Sequence, residues 1–534
     1  MSNYNLILKK NFAGISGVLL LNIISSLAMV FAGYSLSFLV SAYEYDGDKI
    51  KALIITFVIE LVIWISAMGI YYITWLLQAK LQQKIKNDLR RIIGEKISAL
   101  EYGEFTGKDC GNYVSWLTND VEQIYSQSFS PLFSAVENFS AAAFSLAALF
   151  MLSWQIGAAA IVLLVLISVL PQLANKKLQK ANEARSEALE IGTESYKDVI
   201  MGGSVFFLSN LRERIVERIS DTSEKAEKVC FRYNVTNATV QSFVMSVSMI
   251  GQIVLLFVTL LAVVAGSTAT GAVLSVGNLS GSFFNGAGDM VQAFMTIRAS
   301  KPLWEKFRKD NTKSTAEKAD IKEIQSIKVE NLSFGYGNQM VLENKNYVFN
   351  AGGKYAILGE SGSGKTTLVK IILGLLPQYS GRVLYGDIEQ RGADLESLYN
   401  KVAYVDQQVY LFQDTLRFNI TLGRDYSDDE IASVLRKCRL DKFVDSLPNG
   451  IDTVISENGK NLSGGQRQRI AIARSLIRKV EYIIMDEGTS ALDETNALDI
   501  ESALLDDENL GVIIITHNLR PAVQKKLSAV LSLT

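Results

Sequence analysis

The strongest constraint on this chain is a set of long apolar runs confined to its first 300 residues. A bilayer core needs about 20 apolar residues in a helix. Six stretches read as spans: 12–43, 52–78, 130–153, 156–174, 236–265 and 272–296. Lys9 and Lys10 precede the first run, which is too long for a signal-peptide core and has no clear small-residue cleavage site. The loops that pair the spans are short and poor in basic residues, the first being Glu44-Tyr45-Asp46-Gly47-Asp48. The remaining segments carry the lysines and arginines, among them Lys80, Lys84, Arg90, Lys176, Lys177, Lys228 and Arg232. The bias toward basic residues on one side puts both termini and the two long segments in the cytosol.

Those segments, 79–129 and 175–234, are not ordinary loops. They are charged, lack proline and repeat apolar residues at helical spacing, as in Leu89, Ile92, Ile93 and Ile97. They read as membrane helices continuing into the cytosol and turning near 103–107 and at Gly202-Gly203. Such hairpins either meet a cytosolic domain or stand alone as amphipathic pairs.

After residue 300 the composition turns soluble. The chain of 534 residues holds two or more domains. The expected division is a membrane domain over 1–300, a charged linker over 301–326 and a second domain over 327–534. Lys plus Arg total 53 against 55 Asp plus Glu, so no nucleic-acid partner is expected. Cys110, Cys230 and Cys438 show no metal or disulfide spacing and read as free thiols.

The second domain opens on a strand-like run, Lys354 to Leu358. Gly359-Glu360-Ser361-Gly362-Ser363-Gly364-Lys365-Thr366 follows, then a helix-like run from Thr367. Glycines there let backbone N–H groups approach phosphate oxygens at a helix N-terminus. Lys365 can reach the β- and γ-phosphates, and the Thr366 hydroxyl can ligate Mg²⁺. Further on, the apolar strand Tyr482-Ile483-Ile484-Met485 ends at Asp486-Glu487. Asp486 is suited to hold Mg²⁺ and Glu487 to orient or deprotonate an attacking water. Between them, Leu462-Ser463-Gly464-Gly465-Gln466 is a second glycine-rich helix entry. One chain needs one phosphate loop, so the second cradle suggests a nucleotide bound across a dimer.

These motifs together resemble the ATP-binding cassette exporters. The chain looks like a type IV-like half-transporter, six transmembrane helices with long cytosolic extensions fused to an α/β P-loop ATPase domain. The resemblance implies ATP and Mg²⁺ as ligands, with Gly359 to Thr366 and Thr367 binding ATP. Tyr336 resembles the aromatic that stacks on adenine, and Gln407 the residue that contacts Mg²⁺. Leu462, Ser463, Gly464, Gly465, Gln466 and Asp493 would serve the opposite subunit's ATP. His517, which is this sequence's one histidine, resembles the switch that grips the γ-phosphate. Gly111, Ser115 and Leu117-Thr118-Asn119-Asp120 resemble the family's first cytosolic hairpin, and Glu457 and Gly459 the loop before the signature. Asp406 before Gln407 and Gly488 after Glu487 depart from the usual residues. The chain ends 17 residues after His517, short of most members, so their C-terminal dimer contacts are not carried over. Glu487, His517 and the signature are all retained, which favours a homodimer over a heterodimer.

Three acids fall inside the expected spans: Glu60, Glu137 and Asp289. Ionisable residues in a membrane default to a functional role. Lining a cavity, they would suit an amphipathic, cationic cargo such as a peptide or drug. The alternative is that they pair with Asn22, Gln172 or Gln292, or act as protonated structural groups. No peptidase-like segment precedes the first span, so cargo trimming is not expected. The expected activity is ATP-driven export from a bacterial plasma membrane. A lipid translocase, or a siderophore importer of exporter fold, is the other reading. Membrane lipids and a second subunit are the expected partners.

Overall fold

The computed structural model describes residues 2–44, 47–100, 102–107, 110–169, 175–306, 318–337, 339–360, 362–489, 494–517 and 519–533. Contacts divide the chain into two compact units. The first comprises Met1–Ala99 and Lys108–Asp310; the second comprises Leu100–Gly107 and Asn311–Thr534.

The first unit is helical. A short helix, Ser2–Lys10, leads into Phe12–Ser35, which breaks at Leu36 and resumes as Ser37–Tyr43. Lys49–Ser98 is one unbroken helix of 50 residues and Glu213–Val264 one of 52. At a rise of 1.5 Å per residue each is more than 70 Å long, over twice a bilayer core. The expected cytosolic extensions are therefore continuous with their spans. The turning points also fall where glycine placed them, with short helices Tyr102–Thr106 and Gly203–Leu208 at the two tips.

Among the described residues, four helices are long and apolar enough to cross a membrane: Phe12–Ala42, Lys49–Ser98, Cys110–Leu152 and Glu213–Val264. The expected span 156–174 appears as Trp154–Val169, of which Trp154–Val165 is a shorter apolar helix; 170–174 lie outside the described residues. The expected sixth span is a 28-residue helix, Ala272–Ala299. Asn278, Asn285, Asp289 and Gln292 dilute its apolarity, so length and composition alone qualify four spans rather than six.

These helices pack through close backbone approach, as small residues permit in membranes. A Cβ on Gly286 would lie 2.8 Å from the Asn138 carbonyl oxygen, and one on Gly271 would lie 2.3 Å from that of Ser37. Large apolar side chains such as Ile54, Phe57, Ile65 and Trp75 face outward. That is the inverse of a soluble bundle and the normal state of a lipid-facing surface.

The second unit holds two sheets. β1 (Ser326–Tyr336), β2 (Gln339–Asn350), β4 (Ser380–Tyr385) and β5 (Ile388–Glu389) form an antiparallel sheet in the order β2-β1-β4-β5. β3 (Lys354–Gly359), β6 (Val402–Val405), β7 (Tyr482–Asp486), β8 (Gly511–Ile515) and β9 (Ala529–Leu533) form a parallel sheet in the order β6-β7-β8-β3-β9. β7 and β8 are buried at every position, as parallel strands covered on both faces are. One core joins the two sheets through Val329, Leu368, Ile484 and Ile513. A second gathers Ile420, Leu435, Ile470 and Ile472 beneath a helical lobe.

The expected linker 301–326 is only partly a linker. Lys301–Lys306 is helical, and Trp304 is buried in the first unit, its indole N–H donating to Ser128 Oγ at 2.9 Å. Ile321 and Ile324 are buried in the second unit's core. Charge marked this stretch as solvated, but its two isoleucines supply enough apolar surface to dock it. Residues 307–317 lie outside the described residues.

Candidate functional site

Parallel strands in register deliver their C-terminal ends to one edge, and ligands of such sheets bind there. Ile357 of β3 pairs with Ile515 of β8, and Ile515 pairs with Asp486 of β7. Val405 of β6 pairs with Met485 of β7. Along that edge the chain emerges as the 359–366 loop after β3, Gln407 after β6, Glu487 after β7 and His517 after β8. Sequence reasoning had selected all four.

In the 359–366 loop, Gly364 adopts φ +94° and caps helix Lys365–Ile372. That left-handed conformation favours glycine, and a Cβ there would also press on the Leu342 and Val341 methyls at 2.9 and 3.0 Å. The Lys365 ammonium folds back on its own loop, donating to the carbonyls of Gly359 and Glu360 at 2.8 Å each. Ser363 Oγ is buried with no hydrogen-bond partner. Gly362 has φ +85° and open space beside it. A concave loop with an orphaned hydroxyl, a lysine and a helix N-terminus matches what a phosphate group needs. Ser361 lies outside the described residues.

Thr366 Oγ1 donates to Asp486 Oδ2 at 2.7 Å, and the Tyr404 hydroxyl donates to the same oxygen at 3.3 Å. Burial pushes the Tyr404 phenol far above its ordinary pKa, and the Asp406 and Asp486 carboxylates add to the rise. It therefore stays a neutral donor to Asp486.

Glu487 is held at four points. His517 Nε2 lies 2.9 Å from its Oε1, and Gln407 Nε2 donates to its Oε2 at 2.8 Å. Its backbone N–H donates to the Ile515 carbonyl at 3.0 Å, and its carbonyl accepts from Gln468 Nε2 at 3.3 Å. Its φ is +50°, a left-handed conformation that a non-glycine residue adopts at a cost. The two unusual neighbours have local reasons. Asp406 accepts from the Gln408 N–H at 3.2 Å, closing a small turn around Gln407. Gly488 packs on Met485, where a Cβ would fall at 3.2 Å.

Other expected residues stand apart from this cluster. Ser463 caps helix Gly464–Leu476 in a reciprocal box, its side chain accepting from the Gln466 N–H while Gln466 Oε1 accepts from the Ser463 N–H. Leu462 is buried beneath it and Gly465 is also buried. Among the described residues no hydrogen bond joins 462–466 to the phosphate-type loop. Thr367 is buried in helix Lys365–Ile372. Tyr336 ends β1, 53% exposed, edge-on to Phe334 with ring centroids 5.0 Å apart. Asp493 lies outside the described residues. Tyr404 and Gln468 were missed; the signal for Tyr404 was a hydroxyl inside the apolar strand Val402–Val405.

The three membrane acids do not share one environment. Glu60 is 4% exposed, accepts from Ser35 Oγ at 3.0 Å and has a second oxygen with no partner. Glu137 is half-buried, and its backbone carbonyl accepts from Ser26 Oγ at 3.0 Å. Asp289 is exposed. Glu60 is thus tied to helix Phe12–Ser35; of the partners weighed for the three acids, Asn22 donates to the Phe133 carbonyl at 3.4 Å, and residue 172 lies outside the described residues.

Comparison with known proteins agrees with this architecture. Residues 15–287 match the ABC transporter transmembrane region and residues 342–490 match the ABC transporter family. An ATP-dependent lipid A-core flippase of Francisella novicida is 27% identical over 82% of this chain and 76% of its own. A probable ABC transporter ATP-binding/permease protein of Haemophilus influenzae is 27% identical over 85% of this chain and 82% of its own. A bacterial Atm1-family ABC exporter solved with ATP bound superposes with a TM-score of 0.80 at 20% identity, covering 99% of this chain and 94% of that one. The chain belongs to the ABC transporters and is an ATP-hydrolysing half-transporter of exporter fold, integral to the membrane.

Proposed function

We propose that this chain, as a homodimer, uses ATP hydrolysis to move an amphipathic lipid across a bacterial plasma membrane by alternating access. The ATP half of this reading rests on one observation: Thr366, Asp486, Gln407, Glu487 and His517 converge at the C-terminal edge of one parallel sheet. The backbone of 359–366 and Lys365 would hold the phosphates, Thr367 would extend that cradle, and Tyr336 would stack on the base. Ser363, whose buried hydroxyl lacks a partner, is placed to donate to a phosphate oxygen. Thr366, Asp486 and Gln407 offer the hard oxygen ligands that suit Mg²⁺, completed by phosphate and water as such sites usually are. Mg²⁺ bound there would neutralise charge on the phosphates. Glu487 would take a proton from the attacking water, with Gln407 and His517 fixing its carboxylate in place. Positioning and electrostatics supply most of the rate in such reactions. Ser463 to Gln466, with Leu462 packing behind them and Asp493 beyond, would complete the partner's site. The ATPase half and both termini would face the cytosol.

The cargo reading departs from the cationic expectation. Relatives called lipid A-core flippases favour a lipid. Glu60, the most buried of the three acids, is occupied by Ser35 rather than turned to a shared cavity. The test is ATPase activity of the purified chain in nanodiscs, with anionic glycolipids, phospholipids and cationic peptides as separate additions. Stimulation by glycolipid or phospholipid supports the reading. Stimulation by cationic peptides alone, abolished by neutralising Glu137 and Asp289, would overturn it.

A further inference from the structure

A carboxylate behind the site, Glu501, joins the two segments that carry Glu487 and His517. It sits on helix Glu494–Leu505 and is 3% exposed. One oxygen, Oε1, accepts from both Thr489 Oγ1 and Arg520 Nη1, the latter at 2.7 Å. The other, Oε2, is buried with no hydrogen-bond partner. Thr489 is two residues after Glu487 and is itself 7% exposed. Arg520 is three residues after His517 and caps the short helix Pro521–Gln524.

A buried charge is tolerated only when paired, and here the pairing spans two loops. The segment after β7 carries a strained residue, Glu487 at φ +50°, which persists only when its surroundings over-determine it. The segment after β8 must hold His517 2.9 Å from that same Glu487. Thr489 and Arg520 anchor the two segments to a single oxygen. Neither lies among the phosphate-facing residues.

We infer that Glu501 is a positioning residue for hydrolysis: with Thr489 and Arg520 it sets the spacing between the Glu487 and His517 loops without touching the nucleotide. This rests on the proposed roles of Glu487 and His517. Misplacement by about 1 Å costs on the order of 10²-fold in rate, so the effect belongs in kcat.

The test uses the full chain in nanodiscs, with rates normalised to the folded, ATP-binding fraction. Glu501→Ala removes both anchors and should lower kcat about 10–100-fold with the KM for ATP within about twofold. Arg520→Gln leaves the carboxylate buried without its cation. The double variant Glu501→Gln with Arg520→Gln removes both charges and should recover most of that loss. In a Glu487→Gln background, Glu501→Ala should add less than about threefold, because residues acting as a unit are non-additive. A kcat unchanged in folded Glu501→Ala, or losses that multiply in the Glu487→Gln background, would overturn the inference. If Glu501→Ala does not fold, Arg520→Gln against the double variant decides in its place: no recovery sinks the idea. Normal hydrolysis in Glu487→Gln alone would instead refute the roles assigned to the site, which is a different failure.

Discussion

The carboxylates at the ATPase site and those inside the membrane spans of this chain are held differently. In the ATPase half, Asp486, Glu487 and Glu501 are each fixed by named donors: Thr366 and Tyr404; Gln407 and His517; Thr489 and Arg520. In the membrane half, Glu60 has one serine and an orphaned oxygen, Glu137 is half-buried and Asp289 is exposed. The difference is geometric. A parallel sheet in register sends each strand end to the same edge, so position along the chain dictates position in the site. A long helix sends successive side chains round a full circle, and only its neighbours decide which of them meet. Function in the ATPase half is thus a matter of order, and in the membrane half a matter of facing.

The same chemical change should therefore have opposite consequences in the two halves. Glu487→Gln keeps shape and removes the proposed base, and should lower steady-state hydrolysis by about 10²–10³-fold while ATP still binds. Phosphate release in nanodiscs measures the first and equilibrium nucleotide binding the second. Glu60→Gln keeps shape and can still bond to Ser35, and should leave hydrolysis within about twofold of the wild type. A large catalytic loss from Glu60→Gln, equal to that from Glu487→Gln, would break the comparison.

This contrast also explains what was legible in the sequence. Gln407 and His517 came only through the resemblance to the ABC exporters, whereas the loop around Lys365 and the tip of β7 could be read because glycine conformation and strand length leave few solutions. Glu501 could not, because its partners Thr489 and Arg520 are brought to it only by the turns after β7 and β8. Tyr404 looked like one more strand residue. In the membrane half, the extended helices and their glycine turning points were legible from charge and period. The break at Leu36 was not, nor were the π-helical turns Trp116–Asp120 and Tyr125–Phe129 in the third long helix. A π turn adds one residue to a turn without changing composition, so a periodic pattern averages over it. Ile321 and Ile324 show the converse, two apolar residues docking a stretch that its charges marked as linker.

Removing the Glu60 carboxyl outright sharpens the membrane side. Glu60→Ala deletes the hydrogen bond to Ser35 Oγ, which keeps the Ala32 carbonyl as a partner at 2.9 Å, and opens a void; the cost should be about 1–3 kcal/mol. The melting midpoint in detergent should fall for Glu60→Ala and hold for Glu60→Gln. Equal midpoints would mean that the carboxyl is not tied to the first helix, and would return Glu60 to the cargo candidates.

The smallest expected effect lies in the cytosolic extension of the second long helix. Asp88 is partly buried, which by itself would raise its pKa. Hydrogen bonds from the Lys10 ammonium and from Asn11 Nδ2, the latter at 2.9 Å, outweigh that, with Lys10 and Arg91 charge added, and hold the carboxyl below its ordinary value. A carboxyl whose folded pKa is depressed contributes stability above its unfolded pKa and loses it as the pH falls through the folded one. The tie between the N-terminal helix and Asp88 is therefore fully present at pH 7 and fades below about pH 4. Asp88→Asn should melt slightly earlier than the wild type at pH 7, and the gap should close on acidification. Because Lys10 is substantially exposed, the gap should also shrink in high salt. A gap that persists unchanged at pH 3 would show that Asp88 acts by shape and not by charge. In that case the hold on the N-terminal helix would come from packing and the neutral hydrogen bond with Asn11, just as uncharged serine donors already tie the membrane helices together.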